Sequence, residues 1–354
     1  MKNDITLASK YRPRTFDDVV GQNTVVQILK QQIASNNCVN CYLFTGNAGC
    51  GKTSLARLLA NAWNNNTGHP IEFDAASNNS VESVRQIVSQ AKQRSFESKY
   101  KVYIMDEVHV LTNQAWQAFL KLLEEPPEFT RFIFCTTNPE KIPEAILTRL
   151  QTFKLTKISD DLIVDRLAYI LEQEATELFE GEDRAALGDP PDYLYDEESL
   201  RYIARLSNGS MRQAIANLEK CLALNTEVYM ESVCQALGSG NYDIMTKFIL
   251  DIINFETGPA LATLETIVAE GKDAKAFIYD CLRYSLDIQK VRLNNGNMQY
   301  SILPDLDCIK QFLTVSSELT IWIIESLSTL YEDIRYDNNP LPLIEISILK
   351  WCKQ

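Results

Sequence analysis

Eight residues constrain this chain more than any others: Gly46-Asn47-Ala48-Gly49-Cys50-Gly51-Lys52-Thr53. They satisfy G-x-x-x-x-G-K-[ST] at every fixed position. The run Tyr42–Thr45 before them is short and apolar and reads as a strand. Ser54-Leu55-Ala56-Arg57-Leu58-Leu59 after them reads as a helix. In that order, a glycine-rich turn lets the backbone wrap closely around an anion. Successive N–H groups and the helix N-terminus supply partial positive charge. Lys52 adds a full charge for β- and γ-phosphates, and Thr53 offers a hydroxyl to Mg²⁺. Gly46 through Ser54 are therefore the candidate nucleotide-binding run. A chance glycine turn is the competing reading, and the flanking strand and helix weigh against it.

A loop of this kind that hydrolyses a nucleotide needs an acidic partner at the end of a neighbouring strand. Val102-Tyr103-Ile104-Met105-Asp106-Glu107 supplies one. Asp106 is suited to hold Mg²⁺ through water, and Glu107 to orient or deprotonate the attacking water. Alone, Asp-Glu after a strand is a solvated turn. A further strand, Phe132–Cys135, ends in Thr136-Thr137-Asn138, where a polar side chain either reaches the γ-phosphate or caps the strand. From its immediate sequence, Arg149 is one arginine among several.

The first 157 residues alternate short apolar runs (Tyr42–Thr45, Ile71–Phe73, Val102–Met105, Phe132–Cys135, Thr152–Leu155) with amphipathic stretches of helical length. Such alternation predicts an α/β domain with a parallel sheet covered by helices. The clearest helix follows Thr112. There Trp116, Phe119, Leu120 and Leu123 form one apolar face, Thr112 caps the start and Pro126-Pro127 ends it. Beyond residue 157 the strand signals stop. Helices are expected from Asp160 to about Leu178, over 197–206 and over 211–224. An acidic stretch at 179–198 reads as an exposed insertion. The tail from Asn241 is helical, with breaks near Asn294–Asn297 and Asn338–Pro342. The expected division is 1–157, a P-loop domain; 158–237, a small helical lid; and 238–354, an all-α collar. Dividing 354 residues by roughly 150 per domain agrees with more than one domain.

Charge separates the parts. Residues 1–157 carry 18 Lys/Arg against 14 Asp/Glu, and residues 158–354 carry 16 against 33. Contact with nucleic-acid phosphates is therefore expected from the N-terminal part. No apolar run approaches the ~20 residues of a membrane span, and the N-terminus lacks the apolar core of a secretion signal. Nine scattered cysteines do not form a disulfide framework. These features point to a soluble cytoplasmic protein with no membrane partner.

Taken together, several segments carry a family resemblance. They are Arg12–Gln22 with Tyr11 before it, Tyr42–Ala60, Phe73–Ser77, Val102–Leu111, Phe119–Pro127, Cys135–Arg149, Gly209–Ala214 and Arg335–Leu349. The chain resembles the AAA+ ATPases of sliding-clamp loaders, and among these the bacterial DNA polymerase III gamma/tau family. The resemblance implies an AAA+ P-loop domain, a helical lid and a helical collar. It also implies roles. Tyr11, Arg12 and the Val19-Val20-Gly21 segment would embrace adenine. Thr137 would sense the γ-phosphate. Arg149 would be the arginine finger that reaches the ATP of a neighbouring subunit, and Arg212 the second sensor from the lid. ATP and Mg²⁺ are the implied cofactors. The implied partners are a sliding clamp, other loader subunits in a homo- or hetero-oligomeric, pentameric ring, and primed DNA held through its phosphates.

The chain departs from that family in several places. The stretch Asn64–Pro70 is short and cysteine-free where the bacterial family carries a four-cysteine zinc module. Cys38-Val39-Asn40-Cys41 has no second pair, so no structural zinc is expected. Thr148-Arg149-Leu150 replaces the family's Ser-Arg-Cys. The acidic 179–198 stretch is extra. The expected function is a DNA-dependent ATPase that opens a clamp and closes it around primed DNA. Arg85, Arg94, Lys121, Asn78 and Asn79 are candidate DNA contacts, and Phe277, Tyr284, Leu286, Trp322 and Leu327 candidate collar-packing residues. The competing readings are another AAA+ DNA machine, for branch migration or recombination, and a structural loader subunit with little hydrolysis. A protein-unfolding ring lacks its Gly-flanked aromatic pore loop here.

Overall fold

The computed structural model describes residues 5–77, 79–180, 195–225, 227–237, 242–296, 301 and 307–353. Asn78 and most of the acidic 179–198 stretch lie outside them. The chain forms two compact units, one of residues Met1–Tyr193 with Ser207–Glu219 and one of Leu194–Leu206 with Lys220–Gln354.

In the first unit, helices α1 (Leu7–Lys10) and α2 (Asn23–Ala34) lead into strand β1 (Cys41–Thr45). Then follow α3 (Lys52–Trp63), β2 (Ile71–Asp74), α4 (Val81–Ala91), β3 (Lys101–Asp106), α5 (Asn113–Glu124), β4 (Thr130–Thr136), α6 (Glu144–Leu147) and β5 (Gln151–Lys154). All five strands expected from the sequence are present, each within two residues of the apolar run that marked it. They form one parallel sheet in the order β2-β3-β4-β1-β5. The order explains the composition of the strands. β1 and β4 lie inside the sheet, are buried at every position, and carry apolar runs at their centres, with Thr45, Thr130, Arg131 and Thr136 as buried polar residues at their ends.

Alternate residues of these strands feed two cores. Leu43, Tyr103, Met105, Phe132 and Phe134 face α4 and α5, packing with Val84, Ile87, Trp116 and Phe119. Tyr42, Phe44, Ile104, Ile133 and Cys135 face α2 and α3, packing with Leu29, Leu55 and Leu59. Phe119 sits between the Phe132 and Phe134 rings, with centroids at 6.1 and 5.8 Å. Truncating such a buried aromatic to Ala costs about 3–5 kcal/mol. Helix α5 begins as expected, with Thr112 Oγ1 accepting from Ala115 N at 3.2 Å. After β5, helix α7 (Asp160–Glu180) also belongs to this unit.

The second unit holds α8 (Glu197–Leu206) and the end of α9 (Met211–Leu224), whose first turns belong to the first unit. It continues with α10 (Met230–Leu237), α11 (Tyr242–Ile253), α12 (Thr257–Ala269), α13 (Ala274–Leu293), α14 (Ser317–Ile334) and α15 (Leu341–Trp351). One core joins α11 to α15, with Phe248, Ile278, Tyr284, Leu327 and Ile348 at its centre. Of the collar-packing candidates, Phe277, Tyr284 and Leu327 are spent on this internal core. Leu286 is exposed, and Trp322 packs partly buried beside Phe255 at 6.3 Å. The tail has more breaks than the two expected. α11 gives way to α12 where Phe255 adopts φ +62°, and α12 to α13 at Gly271, φ +75°. Both turns carry polar residues, Asn254 and Glu256 at the first and Glu270, Lys272 and Asp273 at the second, in runs too short to stand out from the exposed faces of the helices.

Candidate functional site

The parallel sheet brings the carboxyl ends of β3, β4 and β1 side by side. In open α/β sheets that edge is where ligands bind. Residues 46–51 leave β1 there and turn into α3. Gly46 has φ +147°, and a Cβ on it would stand 2.6 Å from the Leu155 carbonyl oxygen. Gly49 has φ +74°, and a Cβ there would collide with Ser210 Oγ at 1.9 Å. The loop thus needs glycine twice, once against Leu155, the residue after β5, and once against the start of α9. Met211 N also donates to Gly49 O at 3.1 Å. Gly51 caps α3 in the left-handed region with no side chain over the helix end. The first amides of α3 have no acceptor within the helix, and the space beside Gly51 is open. This cradle of unshielded N–H groups fits the oxygens of a phosphate chain.

Lys52 is buried, and its Nζ donates to the carbonyls of Gly46 and Asn47 at 2.9 and 3.0 Å. The Thr53 hydroxyl donates to Asp106 Oδ2 at 2.6 Å. A hydroxyl and a carboxylate so placed are hard oxygen donors, the chemistry Mg²⁺ takes from proteins alongside phosphate oxygens. Glu107 follows in the left-handed region at φ +48°. Its Oε2 accepts from Thr137 Oγ1 at 3.2 Å and lies 3.1 Å from His109 Nδ1. The same ring nitrogen stands 3.2 Å from Thr136 Oγ1. Thr137, from the end of β4, thus meets Glu107, from the end of β3.

A cavity of about 250 Å³ opens over this floor. Ala48 through Ser54, Asp106 and Glu107 line it, with Tyr11, Arg12, Val20 and Arg212. Gly46 and Asn47 are outside the lining and hold Lys52 through their carbonyls. Arg149 is not in the lining. Its guanidinium pairs with Glu124 Oε1 at 2.6 Å and donates to the Ala145 carbonyl. Of the DNA-contact candidates, Arg85 lies 3.6 Å from Glu82, and Arg94 stands over the Phe129 ring.

Some residues of the site had no role assigned from the sequence. Gln22 Nε2 donates to Thr156 O at 2.8 Å and Cys50 O at 3.4 Å, tying the loop to the end of β5. Arg166 of α7, and Met211 and Ile215 of α9, also line the cavity. His109, three residues after Asp106, meets the Glu107 carboxylate. Burial pushes the Cys50 thiol up against the pull of Lys52. Burial, with the Asp106 and Glu107 carboxylates, pushes Cys135 well above the usual thiol range. Both remain neutral thiols at physiological pH.

Residues 69–159 match the family described as DNA polymerase III, delta subunit. The chain is 29% identical to DNA polymerase III subunit tau of Bacillus subtilis over 97% of its own length and 62% of that protein's. It is 32% identical to DNA polymerase III subunit gamma of Buchnera aphidicola subsp. Schizaphis graminum, over 69% of its own length and 70% of that protein's. In fold it is similar to a mutant of Thermotoga maritima RuvB, with a TM-score of 0.51 at 15% identity, covering 75% of this chain and 87% of that one.

Proposed function

The chain belongs to the DNA polymerase III gamma/tau family, and from that premise we propose that it is an ATP-hydrolysing subunit of a sliding-clamp loader. Its fold is the AAA+ fold, a five-stranded parallel sheet with helical additions. Among the described residues, no helix is long and apolar enough to cross a membrane. The observation that carries the reading is the joint placement of Lys52, Thr53, Asp106 and Glu107 around one cavity, with Thr137, itself outside the lining, hydrogen-bonded to Glu107.

The roles follow from chemistry. The amides of the loop receive the phosphates, and Lys52 leaves the Gly46 and Asn47 carbonyls for the β- and γ-oxygens. Mg²⁺, held by Thr53 and Asp106, would neutralise charge that develops between those phosphates. Glu107 orients the attacking water and accepts its proton. Thr137 reports the γ-phosphate, and Arg212 meets it from α9. Tyr11, Arg12 and Val20 enclose the base. Arg149, exposed and outside its own cavity, is suited to act on the nucleotide of the next subunit. Such a cation adds about 10³ to 10⁵ in related enzymes, so hydrolysis becomes conditional on assembly.

We keep 1–157, 158–237 and 238–354 as the functional parts: P-loop domain, lid and collar. Exposed Tyr279, Leu286 and Leu293, seven residues apart on α13, support a collar that packs against other subunits of a pentameric ring. Primed DNA would meet Lys and Arg of residues 1–157 through its phosphates, and the protein would work in the cytoplasm. The test is ATP turnover by the full chain with and without primed DNA and a bacterial polymerase III sliding clamp. Stimulation is expected when both are added, and an unchanged rate would remove the loader reading.

A further inference from the structure

The lining of the cavity has two chemically different parts. One is the phosphate loop with Asp106 and Glu107. The other is built by the N-terminal segment through Tyr11, Arg12 and Pro13, with Val19 and Val20. This second part sets the Tyr11 ring and apolar Pro13, Val19 and Val20 beside polar groups such as Arg12 and Asp18, a mix that suits a nucleoside. Yet the segment before Pro13 carries no strand, and α1 is a single turn of four residues. A turn that short has little stability of its own.

Its anchors come from α7 and α9. Leu7 N donates to Glu219 Oε1 at 3.0 Å. Arg166 donates to the Tyr11 carbonyl at 3.0 Å. Lys10 Nζ and the Tyr11 hydroxyl both donate to the same atom, Glu174 Oε1, at 2.6 and 2.7 Å. The Lys10 and Glu174 side chains are only 31% and 20% exposed, which limits screening of the pair. Tyr169, one α-helical turn after Arg166, meets the Tyr11 ring edge-on at 6.5 Å between centroids.

We propose that Glu174 is a positioning residue for the nucleoside: it holds Tyr11 in the cavity wall from α7, without touching the ligand. The inference rests on the nucleotide-binding reading above. If Glu174 is lost, the segment must be ordered at the moment of binding, and that entropy comes out of the affinity. The phosphate end has its own supports in β1, β3 and α3, so the loss falls on the nucleoside alone.

The experiment titrates the full chain with Mg²⁺-ATP and, separately, with Mg²⁺-tripolyphosphate, which lacks the nucleoside. Glu174→Ala is expected to weaken ATP about tenfold, the scale of one hydrogen bond to a charged group. Tripolyphosphate affinity should stay within about twofold of wild type. Glu174→Gln, which keeps an oxygen to accept from Lys10 and Tyr11, should recover most of the loss. If Glu174→Ala fails to fold by circular dichroism, Tyr11→Phe removes only the hydroxyl and should show the same split. Wild-type ATP affinity in Glu174→Ala, or an equal loss for both ligands, overturns the proposal. Wild type that binds tripolyphosphate as tightly as ATP also overturns it, while sparing the phosphate loop. Wild type that binds neither ligand overturns the underlying nucleotide reading with it.

Discussion

The Thr53 hydroxyl and the Asp106 carboxylate, 53 residues apart, share a 2.6 Å hydrogen bond that reaches across strand β4. On the proposed reading, Mg²⁺ would draw on both oxygens. Thr53→Ala and Asp106→Asn should therefore weaken ATP binding in the presence of Mg²⁺ by about 10- to 100-fold. Binding in EDTA should barely change. Titrations with and without the metal check this, and equal losses in both buffers would place the pair outside the metal site.

Glu107 is held by Thr137 and lies beside His109, so its carboxylate is aimed and not merely solvated. Glu107→Gln keeps the shape and one oxygen acceptor but loses the base. ATP affinity should stay within about twofold, while turnover falls by about 10²- to 10⁴-fold. Single-turnover measurement separates the two. A variant that hydrolyses at the wild-type rate would favour a loader subunit whose acid pair is structural.

Arg149 is engaged with Glu124 and the Ala145 carbonyl, outside the cavity of its own chain. Arg149→Ala should leave ATP affinity of the isolated chain unchanged. In the assembled loader, turnover should fall by about 10³-fold or more. Normal hydrolysis there would show that the finger is another residue.

Asp18 gives a pH-dependent signature. Burial raises its carboxyl, but hydrogen bonds from Thr15 and the Arg14 amide outweigh that and hold it below the usual carboxylate range. The folded-state pKa is thus depressed. Its stabilising contribution is present above the unfolded-state value and is lost as pH falls through the folded one. Asp18→Asn should lower Tm near neutral pH, and the difference from wild type should shrink under strong acid. A constant difference from pH 7 down to pH 2 would contradict the sign.

Much of this arrangement was legible because it is local. Residues 46–53 read as a loop because glycine spacing is dictated by the positive φ of Gly46, Gly49 and Gly51. Strands β1 and β4 read as strands because burial on both faces leaves apolar runs at their centres, Tyr42–Phe44 and Phe132–Cys135. What stayed hidden depends on chain-distant pairings. Glu174 and Arg166 look like ordinary charges on an amphipathic helix until α7 places them on Tyr11. Gln22 looks like a polar loop residue until β5 brings Thr156 to it. The turns at Phe255 and Gly271 escaped because each is only a few residues long, and their polar side chains are also what the exposed face of a helix carries.

The most direct measurement is calorimetric titration of Mg²⁺-ATP into the full chain and into its Lys52→Ala variant, matched for fold by circular dichroism. Lys52 is the only full charge in residues 46–53, and its removal should cut affinity by about 100-fold or abolish it. One saturable site in the wild type that is lost in the variant is expected. Equal affinities, or no binding by the wild type, would contradict a triphosphate held at the ends of β1, β3 and β4.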